Sequence, residues 1–166
     1  MHPVLSTYKV LADKLLQTDS GDQWVDWALE MLQHGYETEN LIILAGLTPP
    51  YNSFYLKEIT GKVLKELDIR VGSDEQSIKG FAYYLVHQSL EEKLDKIIVL
   101  KILKDICVRL DYEKSLYPFY LLYFAHQDLL VQPVQFYWEG AHPGNINEII
   151  EKHFINWKFE FEKESL

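Results

Sequence analysis

The segment QFYWEGAHPG, residues 135–144, places several side chains that could bind a ligand next to one another. Tyr137 and Trp138 offer aromatic rings, and Glu139 and His142 add a carboxylate and an imidazole. The prolines and glycines around these residues predict a loop, where apolar side chains are harder to bury. Such a loop could bind a small ligand or a partner protein. The alternative is that it crosses the helix ends and its rings fill the core.

Acidic side chains form the second candidate group. The chain has 16 basic and 25 acidic residues and a net charge of −9, which disfavours binding to the phosphate backbone of nucleic acids. A negative surface favours association with a basic protein, although it also serves solubility alone. We expect the contact set near one helix end to be Asp19, Asp22, Asp26, Glu37 and Glu39.

Motifs for catalysis or for a cofactor are missing from the sequence. Glu30 and His34 are four residues apart and could reach one metal ion, but no further ligand motif accompanies them. No G-x-S-x-G elbow and no glycine-rich phosphate loop occurs. Cys107 is the single cysteine, lies in an apolar run and is expected to be a small core residue. These observations predict no metal and no cofactor, and they favour a protein that is not an enzyme.

The spacing of apolar residues predicts helices along nearly the whole chain, because they recur every three to four positions. The length of 166 residues and the 48% hydrophobic content suit one domain with its own core. We predict a single all-α domain over residues 1–166 with seven or eight helices. Short loops predict antiparallel packing of neighbours, which would suit an array of helical hairpins. Residues 157–162, WKFEFE, also alternate as a strand would, but their longer-range spacing favours a helix.

Several residues predict where helices begin and end. Gly35 is a helix stop and Thr38 is the cap of the next helix. Residues 41–47 are apolar all round, which predicts a short and fully buried helix. The SLEE sequence has the spacing of a capping box that starts a helix at Ser89, and Ser115 is the expected cap of the helix that follows.

Targeting signals are not evident in the sequence. The first residues lack the basic and continuous apolar regions of a signal peptide. No apolar run approaches the roughly 20 residues of a membrane span. With a single cysteine as well, the sequence predicts a cytoplasmic protein that does not bind membranes.

Residues 27–47, WALEMLQHGYETENLIILAGL, have a Trp-Ala start, a glycine-containing turn and the ending L-x-I-L-A-G-L. This segment resembles a pattern found in small uncharacterised bacterial proteins. The resemblance implies a helical bacterial protein that is encoded among secretion or toxin–immunity neighbours. It implies no activity and no catalytic residue.

These observations together predict a non-enzymatic, acidic protein–protein interaction module, such as an immunity protein that masks a basic toxin. One alternative is a small-ligand binder or enzyme with its site beside residues 135–144, which would require a cavity there. Another is a helical adaptor of a larger complex, with the aromatic loop as its docking edge.

Overall fold

The computed structural model describes residues 4–18, 21–72 and 74–164. These residues form helices and no strand, which confirms the all-α prediction and places residues 157–162 inside a helix. The eight helices are α1 (Thr7–Leu16), α2 (Gly21–Gln33), α3 (Glu39–Ala45), α4 (Ser53–Glu66), α5 (Asp74–Leu90), α6 (Lys96–Arg109), α7 (Tyr117–Val131) and α8 (Ile146–Glu164). Within the described ranges, none of them has the length and apolar character that crossing a bilayer requires.

Backbone contacts divide the chain into two compact units, Met1–Phe81 and Ala82–Leu166, and the boundary lies within α5. In the first unit, α2 packs against α1, α3 and α4, and α3 packs against α4. In the second unit, α6 packs against α7 and α7 against α8. Five of these six packed pairs join helices that follow one another in sequence, as the short loops predict.

The core of the first unit includes two buried tryptophans with bonded indole groups. Trp24 and Trp27 are each 1% exposed. The indole N–H of Trp24 donates to the carboxylate of Asp13 at 3.1 Å, and that of Trp27 donates to the hydroxyl of Thr7 at 2.9 Å. Lys9 also donates to both oxygens of Asp13, at 3.0 and 2.9 Å. Because buried polar groups are costly unless they are bonded, these contacts fix α1 against α2.

The core of the second unit is built from interlocking rings. Phe119 of α7 and Phe154 of α8 are both 0% exposed, and their ring centroids lie 5.9 Å apart at 82°. Phe119 also meets the rings of His153 at 5.2 Å and Trp157 at 5.5 Å. Edge-to-face contacts of this kind are favourable because the positive ring edge faces the negative ring face. One phenylalanine thus joins α7 to three positions of α8.

Local capping chemistry sets the helix boundaries around α3. Gly35 takes a left-handed φ of 84° two residues after the end of α2, where a residue with a Cβ would be strained. The side chain of Thr38 accepts a hydrogen bond from the Leu41 N–H at 3.3 Å. Both predictions for this turn are confirmed. A similar cap starts α4, where Asn52 accepts from the Tyr55 N–H at 2.9 Å.

Helix α3 is not buried on all sides. Leu41 and Leu44 are 0% exposed, but Ile42 and Ile43 are 50% and 40% exposed. The prediction of complete burial for residues 41–47 is therefore wrong. The reason is geometric, because a helix of seven residues that packs on α2 and α4 still presents a side to solvent.

The predicted helix start at Ser89 is also wrong. Ser89 lies in the last turn of α5 and is 2% exposed. Helix α6 begins later, at Lys96, and its cap is Asp95, whose Oδ1 accepts from the N–H groups of Ile97 at 2.9 Å and Ile98 at 3.0 Å. The apolar face of α5 continues past Ser89, so this serine is buried in α5 and does not cap α6.

The turn before α7 is held by Glu113 and not by the predicted cap, Ser115. The Oε2 atom of Glu113 accepts from the N–H groups of Ser115 at 2.8 Å and Leu116 at 3.2 Å, and from the hydroxyl of Ser115. A carboxylate near a helix N-terminus is stabilised by the helix dipole as well as by these bonds. The serine hydroxyl is a donor in this turn, so the capping prediction is wrong.

Candidate functional site

Two of the predicted acidic residues lie on the same face of α2. Asp22 and Asp26 are four residues apart, and Leu29 and Gln33 continue the line with helical spacing. All four side chains are exposed, and Leu29 is 43% exposed. We call these four residues the α2 stripe. It combines two carboxylates with one apolar side chain on a helix whose opposite face is buried.

Tyr51 orients one carboxylate of the α2 stripe. Its hydroxyl donates to Oδ1 of Asp22 at 2.9 Å. This hydrogen bond, together with burial and the charges of Asp22 and Asp26, raises the pKa of the Tyr51 phenol above its usual value. The phenol therefore stays a donor at neutral pH. No ion pair within the described part of the chain involves either aspartate.

The other predicted acidic residues lie elsewhere. Glu37 precedes α3 and Glu39 is its first residue, so both follow the C-terminal end of α2. Asp22 and Gln33 are about 16 Å apart along the axis of α2, at 1.5 Å per residue. The structure therefore separates Glu37 and Glu39 from Asp22 and Asp26, and does not gather them near one helix end. Asp19 lies outside the described residues.

Two amide side chains hold the loop between α7 and α8 in a defined shape. The side chain of Gln135 accepts from the Trp138 N–H at 2.8 Å and donates to the Ala141 carbonyl at 3.1 Å. The side chain of Asn145 accepts from the His142 N–H at 2.8 Å. Bonds of this kind satisfy backbone groups that no helix or strand would satisfy. The two amide side chains therefore hold the loop in a defined conformation, because they bond backbone groups that would otherwise have bonded within a helix or a sheet.

The rings of this loop have different surroundings. The Tyr137 ring lies 5.6 Å from that of Phe124 on α7, and the Trp138 ring lies 5.4 Å from that of His153 on α8. Phe136 is instead 92% exposed. Two rings of the loop thus pack against helices and one remains in solvent, but none of the three is buried, since Tyr137 is 40% exposed and Trp138 is half-buried. The alternative that the rings of this loop fill the core is therefore wrong, and binding at the loop stays a prediction.

Glu139 and His142, the polar members of the predicted ligand site, lie at the surface. The Nδ1 atom of His142 accepts from the Gly144 N–H at 3.1 Å, so the imidazole helps to fold its own loop. Glu139 has no ion pair or side-chain hydrogen bond within the described part of the chain. Neither side chain shares the ring contacts of Tyr137 and Trp138.

A row of aromatic rings along α7 was missed by sequence reasoning. Tyr117 and Tyr120 stack at 5.5 Å and 11°, and Tyr120 meets Phe124 at 4.9 Å. Tyr112 packs edge-on against Tyr120 at 5.5 Å, and Phe124 continues the row to Tyr137. Burial is the first cause that raises the pKa of Tyr120. The spacing of residues 117, 120 and 124 was the available signal, since such residues share a helix face.

The cysteine and the acidic and histidine residues offer little for covalent or metal chemistry. Cys107 is 0% exposed, and burial is the first cause that raises the pKa of its thiol. The thiolate, which is the nucleophile, is therefore disfavoured. No group of three or more His, Cys, Asp and Glu side chains in the described ranges is placed to hold a metal ion.

No family model, curated protein or solved structure matches this chain. The resemblance of residues 27–47 to small bacterial proteins stays a prediction.

Proposed function

We propose that this protein is a non-enzymatic interaction module that binds a basic protein through the α2 stripe. The observation that carries the proposal is the pair of exposed carboxylates, Asp22 and Asp26, which form no ion pair within the described residues and lie beside the exposed Leu29. Protein interfaces combine an apolar centre with charges that complement the partner. The stripe supplies both on one helix face.

The helix that carries the α2 stripe is held in place by hydrogen bonds on its buried face. Trp24 and Trp27 anchor the opposite face of α2 through their bonds to α1. Tyr51 holds the carboxylate of Asp22 in one place. A surface that is ordered before binding loses less conformational entropy when a partner arrives, so more of the contact energy appears as affinity.

The narrower form of the proposal is an immunity-type protein that masks a basic toxin. It is supported by the net charge of −9, which attracts a basic protein over a distance. The segment that resembles small bacterial proteins, residues 27–47, includes Leu29 and Gln33 of the α2 stripe. The same segment also contains the exposed Ile42 and Ile43, which add apolar surface to the first unit.

A helical adaptor is the second candidate. The observation that favours it is the 92% exposure of Phe136 in a loop whose backbone is fixed by Gln135 and Asn145. An aromatic side chain held out from an ordered loop can insert into a pocket of a partner.

The test is a pull-down with the full chain from cells of its source at low salt, followed by purification of the partner and affinity measurement. We expect a basic partner whose affinity falls with salt, because exposed charges are screened. The double variant Asp22→Asn/Asp26→Asn should weaken binding about tenfold. The matched control Glu139→Gln/Glu164→Gln removes the same charge from exposed positions in the second unit and should bind as the wild type does.

Two results would contradict the proposal. One is the recovery of no partner. The other is a partner that the Asp22→Asn/Asp26→Asn variant binds with full affinity. If Phe136→Ala loses that binding instead, the adaptor is the better description.

A further inference from the structure

A cavity of about 380 Å³ opens in the first unit, a size typical of small-molecule sites. One residue of α1 lines it, together with residues from the last turns of α4 and from the segment that follows. We call it the α1–α4 cavity, and its lining includes Lys14, Gly61, Leu64, Lys65, Ile69 and Val71. None of the four residues of the α2 stripe lines it.

The ammonium group of Lys14 has no anionic partner within the described residues. Lys14 is half-buried, and its Nζ donates to the Lys57 carbonyl at 3.2 Å and lies 5.3 Å from the centre of the Trp24 ring. A carbonyl and a ring face attract a cation but carry no net charge. Burial and the charge of Lys57 therefore lower the pKa of the Lys14 ammonium group. A partly buried charge of this kind would be stabilised by an anion.

Gly61 places this ammonium group at the cavity. Gly61 lines the cavity, and a Cβ added to it would lie 3.8 Å from Nζ of Lys14, with no other described side chain within 4 Å. Glycine inside a helix is destabilising relative to alanine, and no close approach of a neighbouring helix requires it at this position of α4. The missing side chain leaves open space beside the ammonium group.

The other charges around the cavity leave a positive excess. Lys65 is exposed and forms no ion pair within the described part of the chain. Asp68 is the one carboxylate among the lining residues, and its Oδ1 lies 3.7 Å from Nε of Arg70, which also lines the cavity. Arg70 therefore offsets Asp68, and the charges of Lys14 and Lys65 remain uncompensated in a chain whose net charge is −9.

A second cavity, of about 510 Å³ beside the start of α6, differs in this respect. Lys96 lines that cavity but is paired with Glu151 of α8, and Glu92 and Asp95 add negative charge to its lining. A lysine at a cavity can attract an anionic ligand only if its charge is not already compensated. The unpaired ammonium group of Lys14 is what distinguishes the α1–α4 cavity.

The rest of the cavity wall is apolar. Leu64 is 4% exposed, Ile69 is half-buried and Val71 is 47% exposed. We propose that the α1–α4 cavity binds a small aliphatic carboxylate. The ammonium groups of Lys14 and Lys65 hold the carboxylate, and the hydrocarbon chain lies against the three apolar side chains. The proposal is independent of the α2 stripe.

The test is calorimetric titration of the full chain near neutral pH with hexanoate, hexylamine, 1-hexanol and inorganic phosphate. We expect saturable 1:1 binding of hexanoate with a Kd of about 1 mM or lower, at least about tenfold weaker binding of the alcohol and of phosphate, and no binding of the amine. The alcohol has the chain without the charge and phosphate has the charge without the chain, so the two compounds separate these contributions.

Two variants test the residues that carry the proposal. Lys14→Met keeps the apolar stem of the side chain and removes its charge, so the affinity for hexanoate should fall at least about tenfold. Its melting temperature should not fall, because no ion pair is lost. Gly61→Leu fills the space beside the ammonium group and should abolish binding, while the melting temperature rises because leucine favours a helix. Loss of binding together with a higher melting temperature cannot result from unfolding.

Lys62→Gln is the matched control, because Lys62 also belongs to α4 but is paired with Glu58 and does not line the cavity. It should bind hexanoate as the wild type does. The proposal is overturned if hexanoate does not bind, or if one of the other three compounds binds as tightly. Full affinity for hexanoate in Lys14→Met or in Gly61→Leu would also overturn it.

Discussion

The two units bury their aromatic side chains in different ways. In the first unit, Trp24 and Trp27 are hydrogen-bonded to Asp13 and Thr7. In the second unit, the rings pack on one another, and the buried Nε2 of His153 has no hydrogen-bond partner among the described residues. The first core is thus held by directional bonds, and the second by the shape of its rings.

The two cores should therefore tolerate different amino-acid substitutions. A directional bond specifies one geometry, and removal of either partner leaves a buried group unsatisfied. Ring packing allows exchange of one apolar shape for another, but it penalises a charge placed among the rings. Not every buried polar group of the first unit is bonded, since the buried hydroxyl of Ser77 has no hydrogen-bond partner within the described residues.

The largest effect is expected from Phe119→Ala in the second unit. Phe119 is 0% exposed and contacts three rings, so its removal should lower the free energy of unfolding by about 4 kcal/mol. Phe119→Leu should cost about half as much, because leucine refills part of the space. Urea unfolding followed by circular dichroism measures both. Equal losses for the two variants would mean that shape does not dominate this core.

The next effect is expected from Asp13→Ala in the first unit. This substitution leaves the Trp24 indole N–H and the Lys9 ammonium without their buried partner. We expect a loss of about 3 kcal/mol in the free energy of unfolding, from the same urea titration. Asp22→Ala, at an exposed position, is the control and should cost far less. A small loss for Asp13→Ala would remove the contrast between the two units.

A smaller effect is expected on acidification. Burial lowers the pKa of His153 from 6.5 to about 4 in the folded chain. Between these values the unfolded chain binds the proton more readily, so the free energy of unfolding falls as the pH drops through this window. We expect this residue to contribute about 2 kcal/mol to the fall, after allowance for partial solvent access.

The variant His153→Phe isolates this contribution. It keeps a ring beside Phe119 and Trp138 but cannot be protonated. The difference in unfolding free energy between about pH 7.5 and pH 4.5 should shrink by the same 2 kcal/mol or so. His34→Gln, at an exposed position, should leave the difference unchanged. If the His153→Phe variant loses as much unfolding free energy between the two pH values as the wild type does, protonation of carboxylates alone accounts for the loss of stability in acid.

The smallest effects are expected in the loop before α8. Trp138→Ala removes a ring that packs on His153 and should cost about 1 kcal/mol. Phe136→Ala removes a ring that is 92% exposed and should change the melting temperature very little. Thermal unfolding of the two variants compares them directly. A large loss for Phe136→Ala would assign that ring a structural role and weaken the adaptor candidate.

Local chemistry allowed part of the fold to be predicted. Gly35 and Thr38 have backbone and capping roles that depend on their near neighbours, so their sequence context was sufficient. Ser89 and Ile42 were assigned wrongly because their burial depends on which other helices pack beside them. The serine has a good capping spacing but lies in a core, and the isoleucine lies in an apolar run but on a side that no helix covers.

The candidate sites were harder to predict for the same reason. The α2 stripe follows from helical spacing, and two of its residues, Asp22 and Asp26, were expected at an interface. The cavity beside the start of α6 was not expected, because Asn147 and Ile150 of α8 are distant in sequence from Ser89 and Asp95, and only the fold brings these residues to one cavity. The Ser89 hydroxyl has no hydrogen-bond partner within the described residues, and this depends on what packs around it and not on its sequence context. The α1–α4 cavity was not expected either, because it too joins helices that are distant in sequence.

Cys107 has a practical consequence for measuring these interactions. Its thiol is buried and its pKa is raised, so alkylating reagents should react with it slowly in the folded chain. A cysteine introduced at the exposed position of Phe136 would then take up a maleimide fluorophore selectively, with the native cysteine left in place. The labelled chain would report, by fluorescence anisotropy, the arrival of any partner at the loop.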